Sequence, residues 1–173
     1  KVNSGTVVKV NYVKDDSQTQ PTKYLVKHVV DGVEQTGDTR TYEGTAWIND
    51  AAPAIVVAGD TIQPNTYEGY KYVSTDLSVA GGQSVPTGTT ITLTYVKDDG
   101  QTQPTDYTVE YYKDGQKVTE DSYTEHSTAW INDDPAQIAI KADIDASADK
   151  YVGYKLGSTE PEALPAAGEK VNS

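Results

Sequence analysis

Tyr12-Val13-Lys14-Asp15-Asp16-Ser17-Gln18-Thr19-Gln20-Pro21-Thr22 returns almost unchanged as Tyr95-Val96-Lys97-Asp98-Asp99-Gly100-Gln101-Thr102-Gln103-Pro104-Thr105, 83 residues further on. A stretch copied at domain-sized spacing marks tandem modules, each a single structural unit. Thr45-Ala46-Trp47-Ile48-Asn49-Asp50 recurs at the same spacing as Thr128-Ala129-Trp130-Ile131-Asn132-Asp133, and Gly69-Tyr70-Lys71 recurs as Gly153-Tyr154-Lys155 after one inserted residue. Lys1-Val2-Asn3-Ser4 reappears as Lys170-Val171-Asn172-Ser173, so the 173 residues read as a cut from an array. The copied stretch is polar and carries proline, and it reads as a linker in which no β ladder continues.

Outward from this seam the chain alternates with the period of a strand. In residues 6–13, Val8, Val10 and Tyr12 share one face; in the copy, 89–96, Ile91, Leu93 and Tyr95 do so. After each seam, Tyr24, Val26 and His28, or Tyr107, Val109 and Tyr111, mark a second strand running into Asp31-Gly32 or Asp114-Gly115. Asp-Gly supplies the two positive-φ positions of a type I′ turn, so each strand is expected to return as a tight hairpin through 33–42 or 116–123. Residues 47–57 and 130–142 lack a decisive period. Asn132-Asp133-Asp134-Pro135 resembles a capped helix start, whereas Ile55-Val56-Val57 favours strand, so helix and strand both stay open there. Gly69-Tyr70-Lys71-Tyr72-Val73 and Gly153-Tyr154-Lys155-Leu156 read as further strands, followed by a loop and a threonine-rich closing strand. The expected fold class is therefore mainly β, with α+β as the alternative.

Composition narrows the function classes. Fourteen Lys and Arg stand against 26 Asp and Glu, for a net charge of −12. This disfavours nucleic acid and anionic membrane, which require a basic footprint. No apolar run is long enough to span a bilayer, so membrane insertion is not expected. The absence of cysteine removes disulfides, thiolate metal sites and a cysteine nucleophile. Thirteen tyrosines and no phenylalanine suit half-buried sheet faces.

The order Tyr-x-Val-x-Tyr, Asp-Gly turn, Gly-Tyr and a threonine-rich strand ending in Tyr-Val-Lys-Asp resembles the mucin-binding-protein (MucBP-type) and related β-grasp tandem repeats of Gram-positive bacterial surface proteins. The matching positions are Tyr107, Val109, Tyr111, Asp114, Gly115, Gly153 and Tyr154 in one copy, and Tyr24, Val26, Asp31, Gly32, Gly69, Tyr70 and Tyr95 in the other. His28 departs from the pattern, which has an aromatic there. The resemblance implies two tandem β-grasp, ubiquitin-like repeats, each with a β-hairpin and a C-terminal closing strand. It also implies an extracellular place on a bacterial cell wall, in an adhesin with host mucin glycans as candidate partners. These are scaffold positions, and a fold does not fix a ligand.

His28 and His126 align with Tyr111 and Glu43, so no acid–base pair repeats and no catalytic residue is assigned; the chain is not expected to be an enzyme. Asp15-Asp16 and Asp98-Asp99 read as solvating charge at a strand exit. Asp143, Asp145 and Asp149 are candidate calcium ligands, calcium being the one cofactor considered, although the closing glutamate and central glycine of an EF-hand are missing. Lys71 and Lys155, Asn49 and Asn132, and Asp50 and Asp133 recur together as the lysine, amide and acid of candidate isopeptide bonds. Trp47 and Trp130, with surface tyrosines, are candidate glycan-stacking residues, with a packing role as the competing reading.

These readings define a non-enzymatic repeat segment of a cell-surface adhesin or fibre, acting as stalk and spacer, with a glycan-binding module as the alternative. Residues 1–14 form the closing strand of a preceding repeat, 15–99 the first repeat, and 100–173 a second repeat lacking its closing strand. The expected partners are neighbouring repeats or copies of the chain joined head to tail, with Val8, Val10 and Tyr12 as the strand-donation interface. The competing parse places the strand first in each unit and gives self-contained modules 1–87 and 88–173.

Overall fold

The computed structural model describes residues 1, 3–75 and 82–173. The chain divides into two compact units, one comprising Lys1–Asn65 and Tyr72–Val96, the other Thr66–Lys71 and Lys97–Ser173. It is mainly β, and its helical content among the described residues is two short 3-10 turns at Thr36–Asp38 and Gly59–Ile62.

The first unit is built around β1 (Thr19–Val30). Its inward residues Thr22, Tyr24, Val26, His28 and Val30 are all buried, as the period-2 pattern requires. Asp31 (φ 48°) and Gly32 (φ 79°) form the expected turn into β2 (Val33–Glu34), with Val30 opposite Val33. The hairpin return is interrupted by the first 3-10 turn and resumes as β3 (Arg40–Trp47), antiparallel to β1 from Val26↔Arg40 to Thr19↔Trp47. Next come β4 (Ala54–Val56), β5 (Tyr70–Thr75), β6 (Ser84–Pro86) and β7 (Thr89–Lys97). β7 lies parallel to β1 on its other side, from Tyr24↔Thr89 to Val30↔Tyr95, and β5 flanks β7. A parallel pair needs a long crossover, which the intervening residues supply. β4 and β6 pair as a separate ribbon with Ile55 opposite Val85. Ile91, Leu93 and Tyr95 from β7 are buried, as are Tyr24, Val26, Ile55 and Val57, and of these Ile91, Leu93 and Val57 are fully buried.

The second unit repeats part of this plan. β8 (Thr102–Val109) pairs with β11 (Tyr123–Trp130) from Tyr123↔Val109 to Trp130↔Thr102, the same register that β3 makes on β1. Asp114 (φ 48°) and Gly115 (φ 79°) turn β9 (Tyr112–Lys113) into β10 (Gln116–Lys117). β12 (Gln137–Ala139) pairs with β13 (Lys170–Asn172), Ile138 opposite Val171. Among the described residues no strand lies on the other edge of β8, where β1 has β7. The core reflects that difference: its buried apolar members are Val109, Val118, Ile138 and Ile140, and Tyr107, the counterpart of the buried Tyr24, is half exposed.

The structure departs from four expectations and resolves a fifth that stood open between helix and strand. Residues 6–13 form no strand; Val8 and Val10 are each 69% exposed and Tyr12 92%, because no described segment offers their backbone a ladder. The polar seam is not a linker throughout, since Gln-Thr-Gln-Pro-Thr begins β1 and β8. Pro21 is tolerated because β1 has only β3 beside it at that level, its parallel neighbour starting at Tyr24↔Thr89. The stretch with helix and strand both open forms strands β4 and β12, since Ile55 and Val57, like Ile138 and Ile140, are buried at a period of two. Residues 153–156 are not a strand, whereas their counterpart opens β5; β5 rests on β7, and 153–156 have no such neighbour among the described residues. The parse into modules 1–87 and 88–173 does not fit, because β7 completes the sheet of the residues before it. The loop expected ahead of the closing strand lies partly in 76–81, outside the described residues.

Candidate binding site at the repeated tryptophan

Both tryptophans stand at the end of a strand, β3 or β11, and lead into a loop held by a glutamine. Gln20 Nε2 donates to the carbonyls of Trp47 (3.0 Å), Ile48 (3.3 Å) and Asp50 (2.9 Å). Gln103 Nε2 repeats this with Trp130 (3.1 Å), Ile131 (3.1 Å) and Asp133 (2.8 Å). Next to each loop an aspartate turn closes the frame. Ile48 N–H donates to Gln18 O and Ile131 N–H to Gln101 O, each at 2.9 Å. A lysine lies over each indole, Lys14 at 5.1 Å from the Trp47 ring and Lys97 at 4.8 Å from that of Trp130. The glutamines and aspartates of the copied stretch are therefore the scaffold of this loop, a role that their reading as solvating charge missed. Asp15 accepts from the Ser17 hydroxyl and then the Gln18 amide, which hold its carboxyl below the usual range. Asp98 is held low chiefly by Gln101 and then by the Gly100 N–H.

In the second unit this frame is filled by a peptide turn from Thr66–Lys71, a segment that lies in the first copy of the sequence repeat. Trp130 Nε1–H donates to Gly69 O at 3.0 Å, and Asp98 N–H donates to the same oxygen at 2.8 Å. Gly69 N–H donates to Gln101 Oε1 at 2.9 Å, and Gln101 Nε2 donates to Tyr70 O at 3.2 Å. Asn132 Nδ2 donates to Glu68 O at 2.8 Å. The Tyr70 ring meets the indole edge-on, with centroids 5.4 Å apart. Gly69 is required: its φ is +80°, and a Cβ would run into the Asn132 amide and lie 2.9 Å from Trp130 Cζ2.

Trp47 and Trp130 are half-buried rather than core residues, and their indole N–H groups already have acceptors, Asp15 O at 3.1 Å for Trp47. Asp143, Asp145 and Asp149 are not gathered; among the described residues no group of three or more His, Cys, Asp or Glu could hold a metal ion. Asp145 instead accepts from the Ser147 hydroxyl and backbone and from Lys150, which take its pKa to about 2, and Asp143 accepts from Ala167 N–H. Lys71 lies 3.6 Å from Asp98 at an exposed position, and the Asn132 amide is spent on Glu68, so the isopeptide candidates do not meet there. His28 is buried with Nδ1 2.9 Å from Tyr95 Oη, a packing role, and His126 is exposed beside Asp106. Val8, Val10 and Tyr12 stand exposed on an irregular segment. Comparison of the chain with family models, curated proteins and solved structures returned no match.

Proposed function

We propose that this chain is a non-enzymatic repeat segment of a bacterial surface adhesin or fibre, a stalk of β-grasp-like units that join head to tail by strand donation. The observation that carries the reading is the contrast between β1 and β8. β1 has a parallel neighbour, β7; β8 shares the other ladder of β1 but has a bare edge among the described residues. The sequence that makes β7 in the first unit is repeated at residues 6–14, which are exposed and unpaired.

The start of the donated strand has a marker. Thr87 Oγ1 accepts from Lys23 N–H at 2.9 Å just ahead of β7. Ser173 Oγ accepts from Asp106 N–H, the counterpart of Lys23, at 2.8 Å. Ser173 is therefore the counterpart of Thr87, and of Ser4 through the repeated Lys-Val-Asn-Ser. Carried over, the β1–β7 register sets Thr6 beside Tyr107, Val8 beside Val109, Val10 beside Tyr111 and Tyr12 beside Lys113. Val8 and Val10 then take the places of Ile91 and Leu93. Burying each such side chain is worth about 1.5–3 kcal/mol, and the ladder satisfies backbone groups on both partners. A contact between two different surfaces of the same chain does not close by default and gives a filament.

A spacer role suits the same geometry. Tension applied at Thr19 and Lys97 pulls the parallel neighbours β1 and β7 in opposite directions, so the ladder from Tyr24↔Thr89 to Val30↔Tyr95 bears load in shear, all its bonds together. The alternative glycan reading has less behind it, since the Trp130 indole is engaged by Gly69, Tyr70 and Lys97. Light scattering of the full chain tests the reading. The wild type is expected to assemble with rising concentration, and a Val8→Asp, Val10→Asp variant to stay monomeric with its first unit folded; a wild-type chain monomeric at high concentration overturns it.

A further inference from the structure

We propose that Gln18, Trp47 and Asn49 form a receptor for the turn Val152-Gly153-Tyr154 of a second copy of the chain. The proposal rests on the head-to-tail reading and adds to it a second contact of different chemistry. Its template is the filled frame of the second unit, where five hydrogen bonds and an edge-on ring hold the turn Glu68-Gly69-Tyr70 on Gln101, Asp98, Trp130 and Asn132. All of those hydrogen bonds go to backbone groups of the turn. The site therefore reads a glycine of positive φ followed by tyrosine, and is indifferent to the residue before them.

Both halves of the same contact exist a second time. Lys14, Asp15, Gln18, Trp47 and Asn49 repeat Lys97, Asp98, Gln101, Trp130 and Asn132 at one spacing, and the loop-holding hydrogen bonds of Gln18 and Gln20 match those of Gln101 and Gln103. This copy is open. Asp15, Gln18 and Ile48 are exposed where Asp98, Gln101 and Ile131 are half-buried, and the Trp47 indole N–H rests on the carbonyl of Asp15, its own neighbour. On docking it would exchange that acceptor for the carbonyl of Gly153.

The turn is equally ready. Gly153 has φ +82° against +80° for Gly69, and Tyr154 N–H donates to Tyr151 O at 3.1 Å where Tyr70 N–H donates to Tyr67 O at 3.0 Å. Gly69 is buried, whereas Gly153 is exposed with open space around its Cβ position, Tyr154 is 46% exposed and Val152 99%. Neither half needs to refold, which keeps the ordering cost of association low. Where Glu68 is replaced by Val152, the contact is kept, because Asn132 takes the backbone carbonyl and not the side chain.

Two full-length variants separate the halves. An isotopically labelled Gly153→Ala chain keeps the receptor and loses the turn, because the added methyl would meet Asn49 and Trp47 as it would meet Asn132 and Trp130 at Gly69. An unlabelled Asn49→Ala chain keeps the turn. Titrating the second into the first is expected to shift the Trp47 indole N–H and the Asn49 side-chain amide while leaving the Trp130 indole N–H in place. A titrant carrying both substitutions is expected to bind at least about tenfold more weakly. No shift at millimolar titrant, or equal shifts with both titrants, overturns the proposal. Shifts confined to residues 6–13 mean that strand donation stands and the receptor fails; shifts at Trp47 without any at 6–13 mean the reverse.

Discussion

His28 lies 5% exposed with its Nδ1 2.9 Å from the Tyr95 hydroxyl, and that hydroxyl also accepts from Asn65 N–H at 2.8 Å. Burial pushes the imidazole pKa down, and the charges of Asp38 and Arg40 act on it in opposite directions. The unfolded chain therefore binds more protons than the folded one below the ordinary histidine value of about 6.5. The contribution of neutral His28 is fully present above that pH and is lost as pH falls toward the depressed folded value. We expect the melting temperature of the first unit to drop between pH 7 and pH 5, and a His28→Gln variant to be less stable at pH 7 but to lose most of this slope; a wild-type slope retained by the variant would refute the assignment. The sequence places His28 on an inward face by alternation alone. It does not show the bond to Tyr95, which comes from a strand 67 residues away.

Strand identity was legible where the period of two was strong, as in β1 and β7, and turn chemistry located both Asp-Gly reversals. The pattern failed at the proline-bearing seam, where local polarity outweighed the fact that a strand with one neighbour spends only half its backbone groups. It also failed at residues 6–13, whose alternation is as clean as that of β7 but which have no ladder partner among the described residues. A side-chain pattern states which face can be buried, not whether a neighbour is there to bury it. β7 shows what the neighbour is worth. Leu93 is fully buried, and Leu93→Ala is expected to destabilise the first unit by about 2–5 kcal/mol in denaturant unfolding, with a much smaller loss counting against the parallel pairing. The tryptophan site was half legible: Trp47, Trp130 and the Gly-Tyr pairs stood out as repeats, but nothing local says that a turn from one copy of the sequence fills a frame in the next. Gly69→Ala and Gly153→Ala carry the same backbone strain, as their φ values differ by two degrees. Only Gly69 is walled in, so its substitution is expected to cost about 1–3 kcal/mol more, read from Trp fluorescence during unfolding. Equal losses would contradict the packing.

At the scale of the molecule, the sequence repeat and the structural unit are out of phase. The segment that opens the second sequence copy, β7, completes the sheet of the residues before it, and the segment Thr66–Lys71 packs with the residues after it. This organisation leaves exposed an irregular segment of apolar alternation beside the Trp47 frame and, among the described residues, a β8 edge with no neighbouring strand and an exposed Gly-Tyr turn. The central claim is that residues 6–13 of one copy lie parallel to β8 of another. Amide hydrogen exchange of the full-length chain, compared at low and high concentration, addresses it most directly. The account predicts that amides within 6–13 and 107–113 exchange rapidly when dilute and become protected together as concentration rises, with Val8→Asp, Val10→Asp abolishing the protection at both stretches. Protection that appears elsewhere while 107–113 continues to exchange freely would contradict it.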